Sequence, residues 1–147
     1  MLRTEATERI LAAKKKKGAT FEAIARAVGR HKVWVTSALL GQSTMSADEA
    51  QKAVEFLGLG PDVAAAVQEI PTKGSVGQTV PVDPLIYRFH EITQVYGTTL
   101  KAIIHEMFGD GIMSAIDFEL DVQRKEDPKG DRVVVTMNGK FLPYKKW

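Results

Sequence analysis

Three polar residues in the second half of the chain have types and spacing that could do chemistry. Arg88 and Glu91 stand three positions apart, so on a helix they share a face, beside an apolar stripe that includes Phe89. Such a pair is most often a surface ion pair of small consequence, but at the edge of an apolar stripe it can border an interface. Ser114 falls in phase with apolar residues of a predicted strand, and a hydroxyl there needs a backbone group, a water or a ligand as partner. Two hypotheses stay open: an ordinary surface pair with a satisfied serine, and a polar site at an apolar edge.

Other kinds of chemistry are excluded by residues that the chain lacks. The 147 residues include no cysteine, which removes disulfides, cysteine-ligated zinc, iron–sulfur clusters and cysteine nucleophiles. The His105-Glu106 pair lacks the second histidine, four positions on, that a zinc-protease helix needs. No Gly-x-Ser-x-Gly segment is present. We therefore expect neither a metal site nor a cofactor.

The composition indicates a folded chain with a real core. Hydrophobic residues make up 44% and charged residues 26%, and the net charge is only +2, which excludes wholesale disorder. No apolar run is long enough to span a bilayer, and Met1–Leu11 lacks the apolar segment of a signal peptide. We expect a cytoplasmic protein without membrane contact.

The first half of the chain is punctuated into short helices. Thr4, Thr20 and Ser46 are predicted N-caps, the last in a capping box with Glu49. Two further helices are predicted from His31 to Leu40 and from Pro61 to Ile70. The pattern predicts a helical bundle over residues 1–72, followed by a proline- and glycine-rich linker over residues 73–83.

The second region, residues 84–147, is predicted to be a small α+β domain. A helix begins at Asp83-Pro84 and runs to about Tyr96, where Gly97 stops it, and Thr98 caps a second helix to Phe108. An alternating strand follows over residues 112–122, then a turn at 127–130 and a strand from Arg132 to Met137. Asn138-Gly139 predicts a two-residue hairpin turn before a last strand, Lys140–Leu142. Few strands and a marginal core suggest completion by a second copy of the chain.

A basic first third raises the question of nucleic-acid binding. Residues 1–43 hold nine lysines and arginines against three acids, and residues 21–42 have helix-turn-helix spacing that resembles the repressor-type domain of phage regulators. Arg30 and Lys32 could contact phosphate, but Val33 and Trp34, at the expected reading edge, suit apolar burial. We expect a repressor-like bundle that does not read DNA.

Several longer segments carry a resemblance to a known family. Tyr87-Arg88-Phe89, Glu91, the run from Val95 to Lys101 and the run from Phe108 to Phe118 resemble the signature of cyanate hydratase (cyanase, cyanate lyase). The segment from Asn138 to Pro143 continues it. The resemblance covers essentially the whole chain, because that family also begins with a repressor-like helical domain that does not read DNA.

The resemblance implies a reaction and a set of site residues. The reaction is the bicarbonate-dependent decomposition of cyanate to carbamate and carbon dioxide, after which carbamate yields ammonia and a second carbon dioxide. The implied catalytic residues are Arg88, Glu91 and Ser114, and the implied pocket also includes Ala115 and Leu142. Cyanate and bicarbonate are the expected substrates, no cofactor or metal is implied, and the role would be cyanate detoxification and nitrogen supply.

The resemblance also implies an assembly. Members of the family are expected to form a homodecamer of five dimers, in which the C-terminal domain of each subunit interlocks with that of its partner and the active sites lie between subunits.

Two alternative functions stay open. The first is a helix-turn-helix transcriptional regulator with a C-terminal oligomerisation domain, which predicts salt-sensitive DNA binding. The second is a non-enzymatic oligomeric scaffold, in which Arg88, Glu91 and Ser114 would be dispensable.

Overall fold

The computed structural model of the chain describes residues 1–71, 74 and 79–147. The chain forms two compact units, Met1–Ser75 and Val76–Trp147. Most of the first half of the predicted linker, residues 73 and 75–78, lies outside the described residues, so the boundaries at 72/73 and 83/84 stay predictions.

The first unit is a bundle of five short helices. They are α1 (Arg3–Lys17), α2 (Phe21–Val28), α3 (Lys32–Leu39), α4 (Ala47–Leu57) and α5 (Pro61–Gln68). Thr20 accepts a hydrogen bond from the Ala23 amide at 3.1 Å, and Ser46 and Glu49 form the predicted capping box. The predicted cap at Thr4 is wrong: the helix begins at Arg3, because the Leu2 carbonyl already accepts from the Ala6 amide at 3.0 Å. α5 ends two residues before Ile70, since Pro71 disfavours helical backbone in the residue before it.

The core of the first unit is apolar and closed within one chain. Ile10, Ile24, Val35, Leu39 and Val63 are at most 1% exposed. The Trp34 side chain packs partly buried against this cluster, which agrees with its expected apolar role.

One charged side chain joins three parts of this bundle. Arg3 donates to the carbonyl oxygens of Ala66 (2.8 Å), Ala38 (2.7 Å) and Ser43 (2.8 Å). Two of these carbonyls lie near the C-terminal ends of α5 and α3, where they also accept from the Glu69 amide at 3.3 Å and the Gly41 amide at 3.0 Å. Arg3 therefore ties the start of α1 to the ends of α3 and α5.

The second unit consists of one long helix and one β-hairpin. The helix α6 runs unbroken from Pro84 to Phe108, capped by Asp83, whose carboxylate accepts from the Leu85 and Ile86 amides at 2.9 Å. The predicted break at Gly97 and the predicted cap at Thr98 are wrong. A glycine inside a helix costs only about 1 kcal/mol relative to alanine, and no proline follows to stop the helix.

The hairpin pairs β1 (Gly111–Lys125) with β2 (Arg132–Pro143) in antiparallel register. The predicted turn at 127–130 connects them. The predicted turn at Asn138-Gly139 is wrong, because both residues lie inside β2, opposite Glu119 and Phe118. The register shifts between Met113 and Phe118, so that residues 114–117 of β1 face Lys140 alone. The predicted alternation over residues 112–122 is therefore interrupted by a bulge.

The end of α6 contacts the start of β1 and the end of β2. The rings of Phe108 and Phe141 stack with centroids 5.0 Å apart, and His105 Nε2 lies 3.1 Å from the Gly111 carbonyl oxygen. The Tyr144 amide donates to the Asp110 carbonyl at 3.1 Å. These contacts fix the start of the hairpin, just before Ser114, against the last turn of α6.

Candidate active site

The Arg88–Glu91 pair forms on the first third of α6, as the spacing predicts. Arg88 Nη1 donates to Glu91 Oε2 at 3.0 Å, and the side chains are 62% and 47% exposed. The guanidinium carbon lies 5.8 Å from the centroid of the Tyr87 ring. The carboxylate takes one N–H group of the guanidinium, and the exposure of the side chain leaves other N–H groups available to an anion.

The surface around the pair is apolar and open in the single chain. Phe89 is 48% and Ile92 49% exposed, and no residue of α6 is buried. Their neighbour His90 lies 5.9 Å from the Tyr87 ring and contacts Gln94 at 3.2 Å. The pair is therefore an exposed ion pair at the edge of apolar side chains that the single chain leaves uncovered, and both arrangements that the spacing left open stay compatible with it.

Ser114 lies in the bulge of β1 and is only 6% exposed. Its Oγ accepts hydrogen bonds from the Ile116 amide at 3.1 Å and the Asp117 amide at 2.9 Å. These two amides occupy both lone pairs of the hydroxyl, which leaves its proton to donate. The serine is therefore arranged as a hydrogen-bond donor, and its oxygen is poorly placed to act as a nucleophile.

The two remaining predicted pocket residues lie near the bulge. Ala115 is exposed and follows Ser114 within it, and Leu142, 39% exposed, pairs with Ile112 on the neighbouring strand. Sequence reasoning found these positions through the family resemblance. The bulge itself was missed, because it depends on how β2 pairs with β1.

The structure brings Arg88 and Glu91 together and leaves Ser114 on a separate element. Arg88 lies about 25 Å along the helix axis from His105, the residue that contacts the start of β1, at 1.5 Å per residue. Among the described residues, no hydrogen bond or ion pair joins Ser114 to either member of the pair.

The described part of the chain holds neither a metal-binding cluster nor a membrane-spanning helix. No group of three or more histidine, aspartate or glutamate side chains there could hold a metal ion. No helix in that part is both long and apolar enough to cross a membrane.

Fold and site together define a two-unit α+β protein with an exposed guanidinium suited to a small anion. Two family models cover it: "Cyanate hydratase, N-terminal" over residues 3–71 and "Cyanate lyase C-terminal domain" over residues 78–146. The chain is 60% identical to the cyanate hydratase of Synechococcus sp. (strain CC9311) over 141 residues, 96% of this chain and 94% of that protein. It is 54% identical to the cyanate hydratase of Marinomonas sp. (strain MWYL1) over the whole of both chains, 147 residues. The crystal structure of cyanase from T. urticae superposes with a TM-score of 0.85 at 43% identity, covering 94% of this chain and 96% of that one.

The chain therefore belongs to the cyanate hydratase (cyanate lyase) family, and it is an enzyme of that class. The same comparisons confirm the predicted α+β fold and do not favour a transcriptional regulator.

Proposed function

We propose that this enzyme decomposes cyanate with bicarbonate as co-substrate and without a metal or cofactor, through Arg88, Glu91 and Ser114. Action on cyanate follows from family membership. The bicarbonate dependence, the residue roles and the placement of sites between subunits are proposals. The observation that supports them best is the Arg88–Glu91 pair, which borders an apolar face left open in the single chain.

Arg88 has to offset the repulsion between two anionic substrates. Cyanate and bicarbonate each carry one negative charge, and two like charges roughly 4 Å apart near a protein surface repel by about 4 kcal/mol. A guanidinium stays charged and presents planar N–H groups that match a pair of carboxylate-like oxygens. Holding both anions in place also removes the entropic cost of their encounter, worth about 7–11 kcal/mol in favourable cases.

The bond changes follow from the two substrates. A bicarbonate oxygen attacks the cyanate carbon, the hydroxyl proton of bicarbonate moves to the cyanate nitrogen, and the adduct takes up one further proton there. Cleavage of the bond between the former bicarbonate carbon and the bridging oxygen then releases carbon dioxide and leaves carbamate. Carbamate breaks down without the enzyme to ammonia and a second carbon dioxide.

Glu91 and Ser114 take the remaining polar roles. Glu91 accepts a hydrogen bond from Arg88, so it either orients the guanidinium or relays the proton toward the cyanate nitrogen. Glu91→Gln separates these roles, because glutamine keeps an accepting oxygen but its amide cannot take up and release a proton near neutral pH. Ser114 donates its hydroxyl proton to a substrate oxygen or nitrogen, since its lone pairs are already engaged.

The site is proposed to form where subunits meet. Leu85 (68%), Val95 (59%), Tyr96 (55%) and Met107 (70%) leave large apolar areas of α6 exposed. Exposed large apolar side chains along one helix are typical of an interface, and the family resemblance implies interlocked C-terminal domains in a decamer of five dimers. The neighbouring chain would bring a second copy of the bulge to the Arg88–Glu91 pair.

The first test is ammonia release from the purified protein given cyanate, with bicarbonate present and then rigorously depleted. We expect ammonia only when both are supplied, and Arg88→Leu should assemble but lose turnover. Arg124→Leu is the matched control, because Arg124 pairs with Asp131 at the far end of the hairpin. Release without bicarbonate would leave a hydrolase and remove this mechanism. Near-normal turnover in Arg88→Leu would remove the anion-binding role.

A further inference from the structure

We propose that Gly139 is a positioning residue for Ser114: its missing side chain makes the space in which the bulge of β1 forms. The inference rests on the proposed function, in which Ser114 donates a hydrogen bond to substrate. Gly139 lies inside β2, paired with Phe118 at the edge of the register shift, so it faces the bulge directly.

The space at Gly139 is already filled by the bulge. A Cβ on this residue would overlap the Ser114 carbonyl oxygen and lie 2.5 Å from Met113 Cγ and 3.2 Å from Met113 Sδ. The methionine side chain is flexible and can move aside. The carbonyl oxygen belongs to the Ser114 peptide group, so relieving its overlap means moving the backbone of the bulge.

Backbone conformation does not explain this glycine. Gly139 is outside the left-handed region that favours glycine, whereas Gly130, in the turn of the same hairpin, has a φ of 121°. A Cβ on Gly130 would meet no atom within 4 Å. The two positions therefore hold glycine for different reasons: a side chain at Gly139 would lack space, and a side chain at Gly130 would strain the backbone.

Moving the Ser114 carbonyl changes what the hydroxyl can do. That carbonyl precedes the short segment whose Ile116 and Asp117 amides bind Ser114 Oγ. If the segment rotates, a lone pair of the hydroxyl is freed and the proton no longer has a fixed direction. A misplacement of about 1 Å at a reacting group can cost about 100-fold in rate, so we expect Gly139→Ala to lower kcat/KM by about 10- to 100-fold.

The experiment compares Gly139→Ala with Gly130→Ala in the full chain, by steady-state ammonia release and by assembled mass. Gly130→Ala should keep kcat/KM within about twofold, because it touches nothing in the bulge. The same two substitutions are then placed in a Ser114→Ala background. If Gly139 acts through the serine, Gly139→Ala should cost less than about twofold there.

The outcomes separate this inference from the proposed function. Full activity in Ser114→Ala would remove the proposed role of the serine, and the inference with it. Loss in Ser114→Ala with full activity in Gly139→Ala would overturn the inference alone, as would an equal loss from Gly139→Ala in both backgrounds.

A second variant keeps the inference testable when Gly139→Ala does not assemble. Met113→Ala/Gly139→Ala removes the overlap with the methionine and keeps the overlap with the carbonyl. We expect it to assemble with the same low kcat/KM. Normal activity would overturn the inference, and so would failure to assemble while Gly130→Ala assembles, because Gly139 would then serve the fold as a whole.

Discussion

Arg88 is highly exposed and pairs with a specific partner, so its proposed role in the reaction can be tested separately from its contribution to folding stability. An ion pair whose side chains are 62% and 47% exposed contributes only about 0–1 kcal/mol to folding. The proposed reaction, in contrast, depends on the planar, forked arrangement of the guanidinium N–H groups.

Arg88→Lys keeps the charge and removes the fork. We expect kcat/KM to fall by about 100-fold, while the free energy of unfolding changes by less than about 0.5 kcal/mol. Steady-state ammonia release and urea unfolding measure the two quantities. The matched control, Arg124→Lys, should change neither. Turnover close to normal in Arg88→Lys would show that charge alone is sufficient.

Arg3 has the opposite character, because its role is structural. Its three bonds to carbonyl oxygens hold α1 to the ends of α3 and α5. Burial lowers the pKa of this guanidinium, and nearby Glu69 acts in the other direction. The charge is therefore held in a partly desolvated place that a shorter side chain would leave unfilled.

Arg3→Ala should lower the stability of the first unit by about 2–3 kcal/mol, since hydrogen bonds from a charged donor are lost to partly buried acceptors. The measurement is urea unfolding followed by Trp34 fluorescence in a Trp147→Phe background, because these are the two tryptophans of the chain. Arg26→Ala, which removes an exposed pair with Glu22, is the control. Equal losses from both substitutions would contradict a special role for Arg3.

Among the secondary-structure elements, α4 begins with a capping box that also binds Arg30. The Ser46 side chain accepts from the Glu49 amide at 3.3 Å, and Glu49 accepts from the Ser46 amide at 2.8 Å and from Arg30 at 2.6 Å. The hydrogen bond from the Ser46 amide is the main cause that lowers the pKa of Glu49 below its ordinary value of 4.5, with Arg30 adding to it and burial opposing it. Glu49 therefore links the start of α4 to the turn between α2 and α3.

The lowered pKa of Glu49 predicts how stability depends on pH. In the unfolded chain Glu49 binds a proton more readily, so its contribution is fully present above the ordinary pKa of 4.5 and is lost as the pH falls through the folded value. Glu49→Gln should flatten this acid loss, measured by urea unfolding across that range. Arg30→Met should flatten it less, because the Ser46 amide remains. A larger effect from Arg30→Met would reverse the order of the two causes.

The elements that were predicted correctly are those whose ends are decided locally. Thr20, Ser46 and Pro61 lie at helix starts because each satisfies or removes backbone donors within three residues. Gly97 and Asn138-Gly139 misled the prediction for a shared reason. Their local preference for a helix stop or a turn is small, about 1 kcal/mol. At Gly97 it is outweighed by the continuous helix α6. At Asn138-Gly139 it is outweighed by strand pairing, which continues beyond them between residues 111–113 and 141–143.

Only the part of the site that depends on local spacing was predictable from the residues themselves. Arg88 and Glu91 share one helix turn, so their spacing alone predicts the pair that the structure shows. Ser114 belongs to a bulge created by contacts between residues about 25 apart in sequence, which no local pattern encodes. Its catalytic role stays a prediction, as do the places of Ala115 and Leu142 in the substrate pocket.

The two units of the molecule differ in how they bury apolar surface. In the described chain, the buried hydrophobic side chains all lie between Ala6 and Val67. The second unit exposes large side chains along both the helix and the hairpin, for example Ile103 (51%) and Val133 (75%). The first unit therefore closes its core in one copy, whereas the second leaves apolar surface that we propose a second copy covers.

Activity should therefore depend on protein concentration. Ile103→Lys should shift the sedimentation coefficient toward smaller species and lower the specific activity on dilution, because a charge would enter the apolar interface. Leu11→Lys, on the surface of α1 and 39% exposed, should leave both unchanged. A full-size assembly with undiminished activity in Ile103→Lys would contradict an interface along α6.

The unequal burial of the two units also has a consequence for how the chain is made. The first 71 residues leave the ribosome before α6 and contain a closed core, so their folding is a first-order event that one nascent chain can complete by itself. With the proposed second copy covering α6 and the hairpin, we expect their folding to be a second-order process, limited by the meeting of two copies. In a refolding experiment, the signal of Trp34 should recover at a rate independent of protein concentration, whereas recovery of turnover should quicken as concentration rises.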